Sequence, residues 1–172
     1  IPYAGLIVTN REKPEMIRSV IKMCTQRDAD TRVGIGAYVE AFSAHDQREE
    51  TQQFILGDTR SLDEIIRELA SMGHIVSFCT AGYRCGRTGK KIMDALESGR
   101  EGCFCKLNAV LTFQEWLEDF ATPETKKIGD EIIDTEMKEI KARVPADFSE
   151  ALWEHLVKAR EKILSGERDL YF

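Results

Sequence analysis

Between residues 112 and 163 apolar side chains return at helical spacing in three successive stretches, and this pattern limits what the chain can become. In "TFQEWLEDF" they are Phe113, Trp116, Leu117 and Phe120, with Thr112 and Glu115 spaced as a capping box at the helix start. After Thr122-Pro123 they are Ile133, Met137, Ile140 and Val144, a stripe that Pro145 ends. Phe148, Leu152, Leu156, Ala159 and Ile163 mark the last stretch. Each stripe is read as a face packed into a core, so the second half of the chain is expected to be helical from about residue 90 onward.

The first half alternates instead. "AGLIVTN" reads as a short buried strand, and "KPEMIRSVIKM" follows as a helix with Pro14 near its start and Met16, Ile17, Val20, Ile21 and Met23 at helical spacing. "CTQRDADTRVGIGAYVEAF" is a second strand with a loop, in which Gly34 and Gly36 suggest bends or close backbone approach. "SLDEIIRELASMG" is the clearest helix. Ser61 and Glu64 form its capping box, Leu62, Ile65, Ile66 and Leu69 its apolar face, and Gly73 its stop. "HIVSFC" then reads as a third strand. Strands separated by helices imply parallel pairing, and in such sheets function gathers at the carboxyl ends of the strands, where Cys79 falls. Three such units are too few to close a barrel, so the sheet is either open or the tail of a larger barrel. The expected division is residues 1–85 for the strand-bearing part and 86–172 for the helical part.

Composition excludes several function classes. The chain has 172 residues, enough for one ordinary core, and a net charge of -6 that lies wholly in residues 112 to 172. That balance argues against nucleic acid as a partner. Its apolar runs are far shorter than a membrane span and no secretory leader pattern is present, so the expected location is cytoplasmic, without membrane insertion. Five cysteines, at 24, 79, 85, 103 and 105, favour metal ligation or a reactive thiol over disulfides. His45, His74 and His155 stand at no recognised ligand spacing.

"SFCTAGYRCGRTGKK", residues 77 to 91, gathers two of those cysteines with Arg84, Arg87, Lys90 and Lys91, in a stretch free of acid between Glu68 and Asp94. One reading is a phosphatase-type loop, in which a cysteine thiolate attacks phosphorus. That loop needs an arginine six positions after the cysteine, where this chain has Cys85; its arginines come five and eight positions after Cys79. A phosphate-binding loop of the Walker type fails too, since it would need glycine at 84 and a hydroxyl at 91. The third reading takes the sulfurs together. Cys79 and Cys105 flank a helical excursion that can bring both thiols to one place, where soft thiolates would hold zinc or an iron-sulfur cluster.

Several separated stretches carry a resemblance: "IPYAGLIVTNREKPE", "TQRDADTRVGIGAY", "LGDTRSLDEIIRELASMGHIVSFCTAGYRCGRTGKKIMDAL", "CKLNAVLTFQEWLEDFAT" and the terminal "GERDLYF". In order and spacing they resemble the C-terminal part of the HydG family, radical-SAM tyrosine lyases that mature FeFe-hydrogenase. The resemblance implies an α/β fold: the terminal βα units of a TIM-type radical-SAM barrel, then an α-helical C-terminal extension. It implies that full-length relatives cleave tyrosine to p-cresol and dehydroglycine, the source of carbon monoxide and cyanide on iron. The Cys-x3-Cys-x2-Cys loop of such enzymes does not occur in this sequence, so S-adenosylmethionine chemistry would depend on the N-terminal part of such a protein.

The family's extension holds an auxiliary 4Fe-4S cluster through Cys-x2-Cys-x22-Cys. Carried over, the first position is Cys79, the second is Gly82 and the third is Cys105, which leaves Cys85 or Cys103 as the substitute thiolate. Arg32 matches the arginine that meets the tyrosine carboxylate. The partners implied are the remainder of a radical-SAM barrel or a second copy of this chain, and hydrogenase maturation proteins. Two other function classes stay open on the residues alone: a non-enzymatic accessory domain that has lost the cluster and binds a partner or an anion, and a phosphatase-like cysteine enzyme.

Overall fold

The computed structural model describes residues 6–24, 26–29, 55–78, 86–98 and 100–172. The chain divides into two compact units, Ile1–Ile65 and Ile66–Phe172.

In the first unit, strand β1 (Ile7–Val8) leads into helix α1 (Pro14–Val20), a 3-10 turn (Ile21–Met23) and strand β2 (Gln26–Arg27). The strands pair in parallel, Ile7 beside Gln26 and Val8 beside Arg27. This is the βα unit expected from the sequence, with a helical crossover between parallel neighbours. Alternation places Val8 inside at 6% exposure and Ile7 outside at 60%. Proline at the first helical position starts α1, and Ile17 is its buried contact.

Under the strands lies a buried ion cluster that sequence reading did not anticipate. The Asp58 side chain is fully buried and takes Arg27 Nη2 at 2.5 Å and Arg60 Nη2 at 2.8 Å. Arg60 also donates from Nε to Asp58 Oδ1 at 2.9 Å, so its fork is bidentate. Burial alone would raise the Asp58 pKa, but the hydrogen bonds and charge of Arg60, with the bond from Arg27, lower it to about 2. Arg27 Nε and Nη1 carry no hydrogen bond. Asp58 is therefore the group that makes burial of Arg27 tolerable.

Helix α2 (Leu62–Ser71) spans the division between the units. Its predicted capping box forms: Ser61 N donates to Glu64 Oε2 at 2.8 Å, and Glu64 N to Ser61 Oγ at 3.3 Å. Ile65 and Ile66 are its buried face, whereas Leu62 is 38% exposed. Gly73 stops it at φ +83°, a left-handed conformation that a β-carbon disfavours.

The second unit is built on helix α4 (Arg100–Asp119), entered through helix α3 (Gly89–Glu97) and followed by α5 (Pro123–Ala142) and α6 (Glu150–Leu164). Thr122 and Ser149 cap α5 and α6 by accepting from Thr125 N and Leu152 N. Short connections make sequential helices antiparallel neighbours. The contacts agree: Lys106 of α4 meets Glu139 of α5, while Gln114 meets Asp130, so the numbers rise on one helix as they fall on the other. Leu107, Val110, Leu111, Phe113 and Leu117 are at most 1% exposed, so α4 is the axis of the core. Ile133, Ile140, Leu156 and Ile163, all predicted core positions, close on it. Phe120, predicted on the apolar face of α4, is instead 71% exposed just beyond the helix end.

Gln114 is the polar centre of this core. Fully buried, it donates from Nε2 to Glu118 at 3.0 Å and Asp130 at 3.3 Å, and its Oε1 accepts from Arg160 Nε at 2.9 Å. One amide thus joins α4, α5 and α6, and a network satisfied at both ends fixes helix register as well as stability.

Two sequence expectations need correction. The capping box proposed at Thr112 and Glu115 does not start a helix, because α4 runs unbroken through both. The Thr112 hydroxyl donates back to Asn108 O at 2.8 Å, the mid-helix alternative to capping. Nor do residues 74–78 of the expected third strand form a strand. Phe78 N donates to Thr112 Oγ1 at 3.4 Å, so its backbone is tied to a helix side chain and not to a strand partner. Ile75, Val76 and Phe78 pack on the helical core, which is why the helical unit already begins at Ile66. Among the described residues the sheet has two strands.

Candidate functional site: the helix of Cys105

Of the proposed thiolates, Cys105 lies within α4 and is exposed, whereas Cys79 and Cys85 fall outside the described residues, as do Gly82 and Arg32. Among the described residues there is no group of three or more side chains able to hold a metal ion. The described surroundings of the proposed ligands are therefore a helix face and the residues on either side of 79–85.

On an α-helix each residue advances about 100°, so Cys105, Asn108, Thr112 and Glu115 stand at i, i+3, i+7 and i+10, along one stripe of α4. Every polar member of that stripe holds an incoming segment. Thr112 Oγ1 accepts from Phe78 N at 3.4 Å. Asn108 Oδ1 accepts from Phe172 N at 2.8 Å, and Asn108 Nδ2 donates to Phe172 O at 3.4 Å. Glu115 Oε1 accepts from Leu170 N at 3.0 Å. One turn further, Asp119 takes both Nε and Nη2 of Arg168, at 2.8 and 2.6 Å. Residues 168, 170 and 172 thus descend α4 past Asp119, Glu115 and Asn108, toward the turn that carries Cys105. Two residues of extended chain span about 6.6 Å and the four helical residues from Asp119 to Glu115 about 6 Å, so the first step matches, while the seven residues from Glu115 to Asn108, about 10.5 Å, are bridged with the reach of the Asn108 and Glu115 side chains.

Residues 79–85, which fall outside the described residues, form a segment flanked by two anchored residues. Phe78, before it, bonds Thr112 and stacks on Trp116 with ring centroids 6.3 Å apart. Arg87, after it, is 8% exposed; its guanidinium lies 4.9 Å from the ring centroid of Phe104, and Nη2 donates to Phe172 O at 2.9 Å. Phe78 and Arg87 are therefore both fixed on the helix of Cys105. Arg87 is also one of the two arginines weighed for a phosphatase-type loop, and here it is turned to protein groups.

Cys103, a possible substitute ligand by sequence, faces away. Two residues apart on a helix means about 200° of rotation, so Cys103 and Cys105 do not share a face. Cys103 is half-buried against the core, with Sγ 3.9 Å from Asp147 O.

His155 is exposed, its ring centroid 4.7 Å from that of Phe172. No helix among the described residues is long and apolar enough to cross a membrane.

No family model matches the chain, and no curated protein matches it. A solved structure does: the crystal structure of HydG, a maturase of the [FeFe]-hydrogenase, with a TM-score of 0.82 and 38% identity over 99% of this chain. The chain spans about a third of the length of that protein, 34% of the solved chain. In sequence and in fold, then, this chain is similar over nearly its whole length to a third of HydG, in agreement with a match to its C-terminal portion.

Proposed function

We propose that this chain is the C-terminal segment of a HydG-like FeFe-hydrogenase maturase and that its helical unit contributes a thiolate site for an auxiliary iron-sulfur cluster. The ligands would be Cys79, Cys85 and Cys105. The observation that carries this reading is the anchoring of Phe78 and Arg87, which flank residues 79–85, on the helix that exposes Cys105. Exposure suits a ligand, since a thiol must shed its proton to bind metal and a buried apolar site opposes that. When bound, such a cluster would supply an iron site with a coordination position open to ligands, where carbon monoxide and cyanide made from tyrosine could be assembled.

In this reading the first unit completes a radical-SAM barrel. Its parallel βα unit leaves Leu6, Ile7, Met23 and Ile55 more than half exposed, as expected of a parallel sheet whose second face is covered by other chain. The remainder of such a barrel would supply S-adenosylmethionine chemistry, Arg32 would meet the tyrosine carboxylate, and hydrogenase maturation proteins would receive the product. A copy of this chain is the other occupant that such a face could take.

Anaerobic reconstitution with iron and sulfide, followed by iron analysis and EPR, tests the cluster. Cys79→Ser, Cys85→Ser and Cys105→Ser should each abolish or alter the signal, and Cys103→Ser should leave it unchanged. Wild-type protein that takes up no iron would end the cluster reading. It would favour the accessory-domain reading, which Gly82 at a ligand position already motivates.

A further inference from the structure

We propose that the face of α4 from Asn108 to Asp119 is a receptor for an extended peptide, occupied here by residues 167–172 of the same chain. Its partner is an extended segment of another protein with a basic, an aliphatic and an aromatic side chain at alternate positions. The receptor needs neither a cluster nor the remainder of a barrel.

Residues 167–172 follow α6 without joining a helix or a strand. Even so, their exposure alternates as in a strand: Arg168, Leu170 and Phe172 are half-buried, while Glu167, Asp169 and Tyr171 are exposed. A strand would find its backbone partners on a second strand. Here side chains of α4 take that part. The Asn108 amide accepts from Phe172 N at 2.8 Å and donates to Phe172 O at 3.4 Å, so one side chain meets both main-chain groups of a residue, as a neighbouring strand would. Glu115 accepts from Leu170 N at 3.0 Å. Main-chain contacts of this kind are open to any extended segment, and the side chains between them select which one stays.

The groove sets that selection. At one end Asp119 takes Arg168 through two bonds, at 2.8 and 2.6 Å, and Glu115 and Glu118 add negative charge beside it, so a basic residue is favoured. Leu170 and Phe172 pack on the helical core, and Phe172 also meets the His155 ring of α6, so an aliphatic and then an aromatic side chain fit next. The resident segment leaves α6 through Gly166, at φ +106° with open space where a β-carbon would stand, a hinge that no packed side chain fixes.

Tethered by so short a hinge, the resident segment acts at an effective concentration on the order of millimolar. A free peptide therefore binds weakly until the resident one is loosened, and the two ends of the Arg168–Asp119 pair become distinguishable.

The test uses the full chain and a fluorescein-labelled peptide of residues 165–172, SGERDLYF, with binding read by anisotropy. Arg168→Ala loosens the resident segment and spares the receptor, so the peptide should bind about tenfold more tightly than to wild type, the scale of the lost charge-assisted bonds. Asp119→Ala weakens resident segment and peptide alike. Alone it should leave the affinity near wild type, and added to Arg168→Ala it should cancel the gain. Methylating the peptide nitrogen that corresponds to Leu170 should lower binding to Arg168→Ala about tenfold, because Glu115 then has no proton to accept. If Arg168→Ala does not fold, Phe172→Ala loosens the other end of the segment and makes the same comparison. A peptide that binds neither variant more tightly than wild type, a gain that survives Asp119→Ala, or indifference to the methyl group would overturn the proposal. So would sedimentation of Arg168→Ala as a dimer that excludes the peptide, which would assign the face to a second copy of this chain.

Discussion

Leu117 of α4 fills the space in front of Gly129 of α5: a β-carbon at residue 129 would lie 2.5 Å from Leu117 Cδ2. The two helices cross at this point with no room for a methyl group.

Gly129→Ala should therefore destabilise the helical unit by about 1–3 kcal/mol, even though alanine is the better helix former. Combining it with Leu117→Ala should cost less than the sum of the single changes, because the second substitution removes the atoms the first collides with. Urea unfolding of the four proteins measures the coupling. Strict additivity would show that the helices shift apart instead.

Asp58 should make folding stability depend on acid pH. Its folded pKa of about 2 lies below the ordinary 3.8, so its contribution is complete above the ordinary value and is lost as pH falls toward the folded one. The shift is worth about 2 kcal/mol. Asp58→Asn should be less stable than wild type near neutrality, and the gap should narrow by about that amount between pH 6 and pH 2. Unfolding curves across that range test it; a gap independent of pH would show that the carboxylate charge is not what Arg27 and Arg60 require.

Thr112 serves two backbone groups with one hydroxyl, returning its proton to Asn108 O and accepting from Phe78 N. Thr112→Val keeps the shape and removes both bonds, at a cost of about 1 kcal/mol. The Phe78 amide should exchange with solvent several times faster, while amides in the middle of α5 stay protected. Unchanged exchange at Phe78 would show that packing on Trp116 alone holds the segment.

Gln114→Leu should cost about 1–3 kcal/mol despite added apolar surface, since it strands Arg160 Nε and takes one donor from Glu118 and Asp130, which keep Lys126 between them. Arg160 retains Asp134 at 3.1 Å, which keeps the loss at the lower end. Thermal unfolding checks the sign; a more stable variant would mean that the network fixes register at the expense of stability.

The helices were legible because burial imposes their period. Ile133, Ile140, Leu156 and Ile163 repeat at helical spacing, and all four are fully buried. The same reasoning misplaced a helix start at Thr112, since Thr-x-x-Glu has one composition at a cap and in mid-helix, and only the destination of the hydroxyl separates them. "HIVSFC", of which residues 74–78 are described, reads as a strand because a short apolar run looks alike in a sheet and against a helix. At the site, the spacing of Cys79 and Cys105 is visible in the sequence; the structure places Cys105 exposed on α4, and Cys79 lies outside the described residues. The pairing of Arg27 with Asp58 was not visible, since charges 31 positions apart announce no contact. The same holds for Arg87 and Phe172, separated by 85 positions.

The unbroken course of α4 through Thr112 gives the chain an uneven tolerance to change. Exchanges on the outer face of this helix leave Cys105 aligned with the residues that hold the neighbouring segments. A single residue inserted between Cys105 and Thr112 would turn Cys105 by about 100° relative to Thr112 while leaving the helix continuous. Length variation between these two positions should thus turn the cysteine away from the residue that holds Phe78 in a protein that still folds, whereas insertions beyond Ser149 leave that alignment intact.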